Sequence, residues 1–453
     1  MKKAIFAAVI LLTLLVNSTQ AAKSDKTRSN ILTLPHREVV LTNGLRVFMV
    51  KYPSPGVVSY QLPVRAGSRN EIEKGKTGFA HFFEHLMFKG TKTRTAEEFG
   101  ALYTKLGNEN NAWTWFDMTN YHGVVASVYL PQILDAEADR FRNLQFTEAA
   151  LRTEAGAVLG EYNKSISDPE FLLEEKLLET AFQKHPYGHT TMGYKQDVIN
   201  LTERYKDVWP FFKRYYRPSN VSVVLVGDID FDKSLRLINE KFGKWRNPII
   251  GMVAIPQEPA QTAARQARVK LDKPTQTRIS VAYKVPAFST EQTDGASLQL
   301  IAEMHFSVTS EFQKEFRFEK KWLDSVSANP TESIDPGLWT IGLRLTEAGE
   351  AHVEELTKAV DKTVTQIRET LPQAARLAAT KKRFKSSAVT SWFGSPEQLA
   401  GRIAWYTNFE PDLAVINRLF DRLAEVKPQT IKDFATENLI DARKTTVILR
   451  GNQ

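Results

Sequence analysis

Three residues spaced along one short stretch could bind a metal ion and move a proton. His81, Glu84 and His85 form the pattern HxxEH, in which two imidazoles lie one helical turn apart with a carboxylate between them. Two histidines at this spacing are parts of a zinc site, and the carboxylate is a general base. A helix over residues 78–89 would hold all three side chains within roughly 100° of arc. The motif therefore predicts zinc-dependent hydrolysis.

The other face of the same helix is apolar, so the helix can bury one stripe in a core while the metal-binding stripe faces a cleft. The apolar positions are Phe82, Phe83, Leu86 and Met87. The alternative interpretation is a polar helix face with two histidines that are hydrogen-bonded and bind nothing. A catalytic zinc usually takes three protein ligands and leaves a fourth position for water, so the zinc interpretation requires one more ligand elsewhere.

The surrounding string GFAHFFEHLMFKGT resembles the zinc helix of the inverzincin metallopeptidases, the family of pitrilysin, insulinase and mitochondrial processing peptidase. That family takes its third ligand from a glutamate on a later helix, preceded seven positions earlier by a second functional glutamate. The stretch LRTEAGAVLGEYNKS offers Glu161, 76 residues after His85, and Glu154. The resemblance implies that Glu161 binds the metal and that Glu154 is the second functional glutamate. The alternative for each is a solvated helix residue.

A strand between these helices resembles the family's substrate-binding strand. The stretch GNENNAWTWFDMTNYHGVVA reads as a Gly and Asn turn followed by aromatic and β-branched residues. The family has a similar NAxT strand beside the metal, and its exposed edge pairs with substrate backbone, which recognises peptide whatever its side chains. The resemblance implies that Asn111, Ala112 and Trp113 contact the substrate. The alternative is a core strand with inward aromatics, and His122 is predicted to be structural.

The chemistry follows from these parts. His81, His85 and, as the resemblance implies, Glu161 would hold one zinc ion per chain, which would supply Lewis-acid chemistry toward water and the scissile carbonyl. Glu84 would take a proton from the water and pass it to the leaving amine. Histidine and carboxylate ligands discriminate poorly among late first-row metals, so another divalent ion is an alternative. The resemblance implies that enclosure limits substrates to peptides and unfolded segments.

One departure from the family lies in the second half of the chain. Active members supply an Arg and a Tyr that hold substrate, in a stretch like REKRGLAYSV. The corresponding stretch here is RFEKKWLDSV, which keeps Arg317 but has Lys321 at the Gly and Asp324 at the Tyr. A carboxylate cannot donate the phenolic hydrogen bond. Either a homologous subunit supplies an Arg and Tyr pair, or Tyr283 or another residue of this chain takes the role.

The N-terminus predicts the compartment. Lys2 and Lys3 precede an apolar run at residues 4–16, and a small-x-small cleavage signal follows, so residues 1–21 read as a secretory signal peptide. No other run approaches the roughly 20 apolar residues of a membrane span, and we expect a soluble periplasmic product without a transmembrane anchor. The net charge of +8 falls to +6 without that segment, which is modest and gives no reason to expect a nucleic-acid partner in an exported protein.

The domain organisation shows a faint duplication. VSVVLVG at 221–227 resembles TTVILRG at 445–451, each a β-branched strand ending in Gly. A Pro-, Ala- and Gln-rich stretch between them reads as a linker. We predict a zinc-binding peptidase domain at 30–248, a linker at 249–265, and a second homologous domain without metal at 266–453. Strand and helix signals mix in both halves, which predicts an α+β fold. The resemblance implies two similar α/β domains related by internal duplication, forming half of a clam-like chamber.

Local signals mark individual elements. Asn43 and Gly44 lie between two strand-like runs, as in a hairpin turn. Thr95 with Glu98 is a capping box at a helix start, and Ser395 with Pro396 opens another helix.

Two classes of function are compatible with these observations. The first is a zinc endopeptidase that is the metal-bearing subunit of a heterodimer. The second is a non-catalytic binding or assembly subunit that keeps the fold. Relatives of the second class typically lose the zinc ligands, whereas all the ligands and the base are present here, which favours the enzyme.

Overall fold

The computed structural model describes residues 30–246, 248, 250–328, 330 and 332–452, and the predicted signal peptide lies outside them. Within these residues, eleven strands form two sheets. They are β1 (His36–Val40), β2 (Arg46–Lys51), β3 (Val57–Val64), β4 (Glu109–Thr114), β5 (Thr119–Ala126), β6 (Ser222–Gly227), β7 (Arg265–Lys270), β8 (Arg278–Val285), β9 (Leu323–Ser327), β10 (Gly337–Leu345) and β11 (Lys444–Arg450).

The two sheets repeat one topology. The first has the order β1-β2-β6-β3-β5-β4 and the second has the order β7-β11-β8-β10-β9. β6 and β11, which carry the two similar sequence stretches, occupy the same place, because each has a parallel neighbour on one side and an antiparallel neighbour on the other. The predicted duplication is confirmed. The first sheet has the additional edge strand β1, which the predicted hairpin turn at Gly44 joins to β2.

Fifteen α-helices cover and connect the sheets in the described part of the chain. They are α1 (Phe79–Leu86), α2 (Ala96–Lys105), α3 (Leu130–Asn143), α4 (Glu148–Ser165), α5 (Pro169–Ala181), α6 (Lys195–Ile199), α7 (Val208–Tyr215), α8 (Phe231–Phe242), α9 (Asp294–His305), α10 (Glu311–Gln313), α11 (Val353–Glu369), α12 (Ala374–Trp392), α13 (Pro396–Phe409), α14 (Val415–Glu425) and α15 (Pro428–Asn438). None of them combines the length and apolarity needed to cross a bilayer.

The predicted helix starts are confirmed. The Thr95 hydroxyl oxygen accepts a hydrogen bond from the Glu98 amide, and the Glu98 carboxylate accepts one from the Thr95 amide, which is the capping box of α2. Ser395 caps α13 by accepting from the amide of Gln398. The metal-motif helix α1 is shorter than the predicted range of 78–89. It begins at Phe79, because Gly78 has a left-handed φ of +87° and cannot extend the helix backwards, and it ends at Leu86.

The first half of the chain, which carries the first sheet, and the second half, which carries the second sheet, share their hydrophobic cores. Alternate residues of β2 point to opposite faces, so Val47 and Met49 pack with first-half helices while Phe48 and Val50 pack with second-half residues. Helix α13 of the second half lies on β3 and β6 of the first sheet. In return, α5 of the first half lies on β11 and β7 of the second sheet. Each half therefore supplies a helix that buries the other half's sheet.

Candidate metal centre and active site

Helix α1 is anchored at its first turn by a buried carboxylate. Glu71 is 5 % exposed, and its two oxygens accept hydrogen bonds from the amides of Gly78 (2.6 Å) and Ala80 (2.7 Å). Burial raises the pKa of Glu71, and these two hydrogen bonds oppose the rise. A side chain at Gly78 would place its Cβ 2.7 Å from the carbonyl oxygen of Met192, so glycine is required there by packing as well as by φ.

The apolar stripe of α1 is buried as predicted, and it holds the helix against the sheet. Phe82, Phe83 and Leu86 have no exposed surface. The hydroxyl of Tyr121 on β5 donates to the main-chain carbonyl of Phe83 (3.1 Å). The opposite stripe, with His81 and His85, faces α4.

Three ligand atoms meet where α1 and α4 face each other. The Nε2 atoms of His81 and His85 are 3.3 Å apart, and the Oε2 atom of Glu161 lies 3.6 Å from the first and 3.5 Å from the second. Among the described residues, no other cluster of histidine, cysteine or acidic side chains could hold a metal ion. His85 and Glu161, which are 76 residues apart in the sequence, therefore lie side by side in the structure.

The geometry of this triangle fits zinc. Ligands at about 2.0–2.2 Å from a tetrahedral ion are separated by roughly 3.3–3.6 Å. Without a cation between them, two imidazole lone pairs 3.3 Å apart would repel. Burial, followed by the charge of His85, lowers the pKa of His81 to about 3, which keeps that imidazole neutral and able to bind a metal.

Glu154 lies on the far side of His85 from the ligand triangle. Its Oε1 is 2.9 Å from His85 Nδ1, and its Oε2 contacts the ammonium group of Lys89. Although burial acts to raise the pKa of Glu154, the hydrogen bonds from His85 and Lys89 lower it below the ordinary value. The charged carboxylate therefore keeps the proton of His85 on Nδ1 and leaves Nε2 free to face the ligand triangle. In the described structure, Nδ1 of His81 has no such partner.

We expect Glu154→Gln to lower zinc affinity by about 10- to 100-fold, because the amide holds the His85 imidazole without a negative charge. Competition with a chelator of known zinc affinity measures the change. The matched control is Thr153→Val, which removes a hydroxyl that only bonds back to its own helix. Equal affinities for wild type and Glu154→Gln would contradict a supporting role for this carboxylate.

Glu84 is held by a threonine at the end of β4. The hydroxyl of Thr114 donates to Glu84 Oε2 at 2.6 Å. Burial raises the pKa of Glu84, and the Thr114 hydrogen bond offsets part of the rise. Among the described residues, no donor is hydrogen-bonded to the other oxygen, Oε1, so one oxygen orients the carboxylate and the other can exchange a proton.

β4 is an edge strand of the first sheet. It pairs with β5 on one side, and no described strand covers its other side. The amide of Ala112 donates to the side-chain oxygen of Asn111 (2.9 Å), and the ring of Trp113 lies 6.0 Å from that of Trp405 on α13. β4 is therefore exposed at one edge, and Trp113 is half-buried. His122 on β5 lies outside the ligand triangle, 3.8 Å from Glu397.

The second half differs from the family pattern as the sequence indicates. Lys321 has a positive φ of 57°, the conformation that favours glycine, which fits its alignment with the family's Gly. Asp324 lies on β9 and accepts a hydrogen bond from Arg344 (2.6 Å), while Arg317 donates to Gln313 (3.0 Å). Tyr283 is only 2 % exposed and is buried in the hydrophobic core that contains the second sheet, so it cannot hold a substrate.

Three residues that support the candidate site were not predicted from the sequence. Thr114 belongs to the NAxT string but gives no signal of its contact with Glu84. Lys89 lies four residues after His85, so helical periodicity could have placed it on the same side. Glu71 precedes α1 by eight residues in a loop and gives no local signal, because its carboxylate reaches the helix through the fold.

Comparison with known proteins gives two adjacent family matches. Residues 46–195 match the model described as Insulinase (Peptidase family M16), and residues 203–384 match the one described as Peptidase M16 inactive domain. The metal triangle lies in the first match, and Asp324 lies in the second.

Individual relatives match nearly the whole chain. The zinc protease PqqE of Helicobacter pylori is 28 % identical over 424 residues, which are 92 % of this chain and 93 % of the relative. The crystal structure of a protease from Helicobacter pylori has a TM-score of 0.84 at 28 % identity, covering 92 % of this chain and 99 % of that one. The periplasmic protease PqqL of Escherichia coli shares the fold, with a TM-score of 0.75 at 19 % identity; the match covers 92 % of this chain but 48 % of that chain.

Proposed function

The chain belongs to the insulinase family of peptidases, family M16, and on that premise we propose that it is a zinc-dependent endopeptidase. The observation that carries the proposal is the triangle of His81, His85 and Glu161, with ligand atoms 3.3–3.6 Å apart beside Glu84. A non-catalytic assembly subunit has no need of this set. Retention of three ligands, the base and the threonine that orients the base supports an enzyme.

The proposed roles follow from the contacts of each side chain. Zinc supplies Lewis-acid chemistry toward water and the scissile carbonyl. Glu84 accepts a proton from the attacking water at Oε1 and delivers it to the leaving nitrogen, while Thr114 fixes Oε2. Glu154 keeps His85 oriented through Nδ1. Placing these groups in advance removes much of the entropic cost of bringing water and substrate together.

Substrate binding is proposed at the open edge of β4. A substrate in extended form adds a strand there, and its carbonyl replaces the Asn111 side chain as acceptor of the Ala112 amide. Trp113, close to Trp405 of the second half, offers an apolar wall. Because these contacts are to backbone, only chains without stable structure can use them. This supports peptides and unfolded polypeptide segments as the substrate class.

The proposed compartment is the bacterial periplasm. The support is the signal-peptide pattern at residues 1–21, together with the fold shared with a periplasmic protease of Escherichia coli. Zinc analysis of the purified protein, combined with cleavage of a long unstructured peptide, tests the function. Zinc-loaded protein that cleaves no such peptide, alone or with any homologous partner, would favour the assembly subunit.

We propose that full activity requires a second, homologous subunit. This chain matches half the length of the Escherichia coli protease, and Asp324 stands where a substrate-holding tyrosine is expected. Asp324 is neutralised by Arg344 and donates no hydrogen bond to an oxyanion. A partner that supplies an Arg and Tyr pair would replace the missing donor, which is worth about 10²- to 10³-fold in rate at comparable sites.

We expect the isolated chain to cleave peptide slowly. Adding a co-expressed homologue without HxxEH should raise the cleavage rate by about 10²- to 10³-fold. The control is the same homologue with its Arg and Tyr replaced by Gln and Phe, which should restore little. Full activity of the isolated, zinc-loaded chain, with no rise on adding a partner, would contradict the split site.

A further inference from the structure

The turn between β4 and β5 connects the proposed base to the second half of the chain. Thr114, which holds Glu84, is the last residue of β4, and the turn follows at once, closed by a hydrogen bond from the Trp115 amide to the Met118 carbonyl (2.8 Å). A shift of this turn would move the Thr114 hydroxyl. The residues that hold the turn therefore bear on the position of Glu84.

Asp117, within the turn, is buried and takes hydrogen bonds from both halves. It is 2 % exposed. One oxygen accepts from the hydroxyl of Tyr187 (2.6 Å) and the other from the amide of Ile334 (3.0 Å). Its main-chain carbonyl accepts from the side chain of Asn408 on α13 (3.4 Å). Two of these three donors belong to the second half.

Asp335, next to Ile334, holds the other side of the turn through Arg69. Its Oδ2 accepts from Arg69 Nε (2.5 Å) and from His185 Nε2 (2.9 Å). His185 Nδ1 accepts from the amide of Tyr187, so Nε2 carries the proton and the bond to Asp335 needs no charge on the imidazole. Burial opposes ionisation of Asp335, but the hydrogen bonds from His185 and Arg69 outweigh it and lower the pKa to about 2.

The loop that carries Arg69 lies directly on the turn. The Arg69 amide donates to the carbonyl of Phe116 (2.9 Å), and a Cβ at Gly67 would lie 2.1 Å from the carbonyl oxygen of Trp115. At this distance the loop and the turn cannot move independently. Asp335 thus holds Arg69, Arg69 holds the turn, and the turn carries Thr114.

We infer that Asp335 of the second half is a positioning residue for Glu84, acting through Arg69, the β4–β5 turn and Thr114. This inference rests on the proposed function, because it assigns Glu84 as the base. It gives the second half of the chain, in whose described residues there is no metal cluster, an indirect part in positioning the proposed base. Its basis is the chain of contacts, which spans 266 residues of sequence between Arg69 and Asp335.

The experiment measures kcat, zinc content and the thermal midpoint of Asp335→Asn, Thr114→Val and the double variant, at a temperature where all are folded. A misplacement of about 1 Å costs up to roughly 100-fold in rate, so we expect kcat of Asp335→Asn to fall by about tenfold or more with zinc retained. If Asp335 acts through Thr114, the double variant has the kcat of Thr114→Val within about twofold. Effects that multiply instead would overturn the inference.

A second readout does not depend on activity. We expect the amides of residues 115–118 to exchange hydrogen faster in Asp335→Asn than in wild type. The matched control is Asp361→Asn, which breaks another second-half pair, between helix α11 and Lys444 of strand β11 (3.1 Å). Unchanged exchange in Asp335→Asn, or equal acceleration in the control, would overturn the inference even if Asp335→Asn were too unstable for kinetics.

Wild type and Glu84→Gln are assayed in parallel to separate the two hypotheses. All variants are assayed alone and with the homologous subunit, and a zinc-loaded wild type that cleaves nothing in either case contradicts the proposed function. Cleavage that is lost in Glu84→Gln but unchanged in Asp335→Asn contradicts only the positioning role of Asp335.

Discussion

Glu84→Gln is expected to keep zinc and fold while kcat falls by about 10²- to 10⁴-fold. The amide has nearly the same shape, and its single oxygen can still accept the hydrogen bond from the Thr114 hydroxyl. It cannot accept a proton from water at neutral pH. The loss should therefore appear in kcat, with KM for a long peptide changed little.

The measurement is steady-state cleavage of an unstructured peptide with zinc quantified on the same sample. Glu240→Gln on α8 is the control, because it neutralises an exposed carboxylate paired with Lys241. We expect that variant to match wild type. Equal rates for Glu84→Gln and wild type at equal zinc content would rule out this carboxylate as the base.

Glu161→Gln is expected to remove most of the zinc. The oxygen that lies 3.5–3.6 Å from both histidine Nε2 atoms is replaced by a neutral amide oxygen, a much poorer zinc ligand. Losing a ligand should lower affinity by more than the roughly 100-fold upper range for losing a ligand's hydrogen-bond partner. The order of affinities is then wild type, Glu154→Gln and Glu161→Gln, from tightest to weakest.

Elemental analysis after dialysis and a competitive chelator titration test this order. Glu148→Gln is a control on the same helix, where it loses only an exposed pair with Arg152. Circular dichroism checks that α4 is intact, since half of the Glu161 side chain is exposed and its loss leaves no cavity. Full zinc content in Glu161→Gln would show that another group is the third ligand.

Sequence periodicity alone predicted which side chains share a face on each helix of the site, whereas the choice of Glu154 and Glu161 depended on the family resemblance. In α1, His81 and His85 share a face because four residues make about one turn, and the apolar residues follow on the other face. In α4, Glu154 and Glu161 are separated by nearly two turns and both face His85. The caps of α2 and α13 were likewise predictable, because a cap involves residues three positions apart.

The tertiary structure alone decided how those helices are supported. Glu71 caps α1 from a loop, Thr114 reaches Glu84 from a strand, and neither contact has a spacing that a pattern could encode. Long-range contacts depend on how the two sheets pack. That packing is set by α5, which lies on the second sheet, and by α13, which lies on the first. Because periodicity reports only which face a residue occupies, it carries no information about which distant face meets it. The link from Asp335 to Arg69, across 266 residues, exists only once both halves are folded against each other.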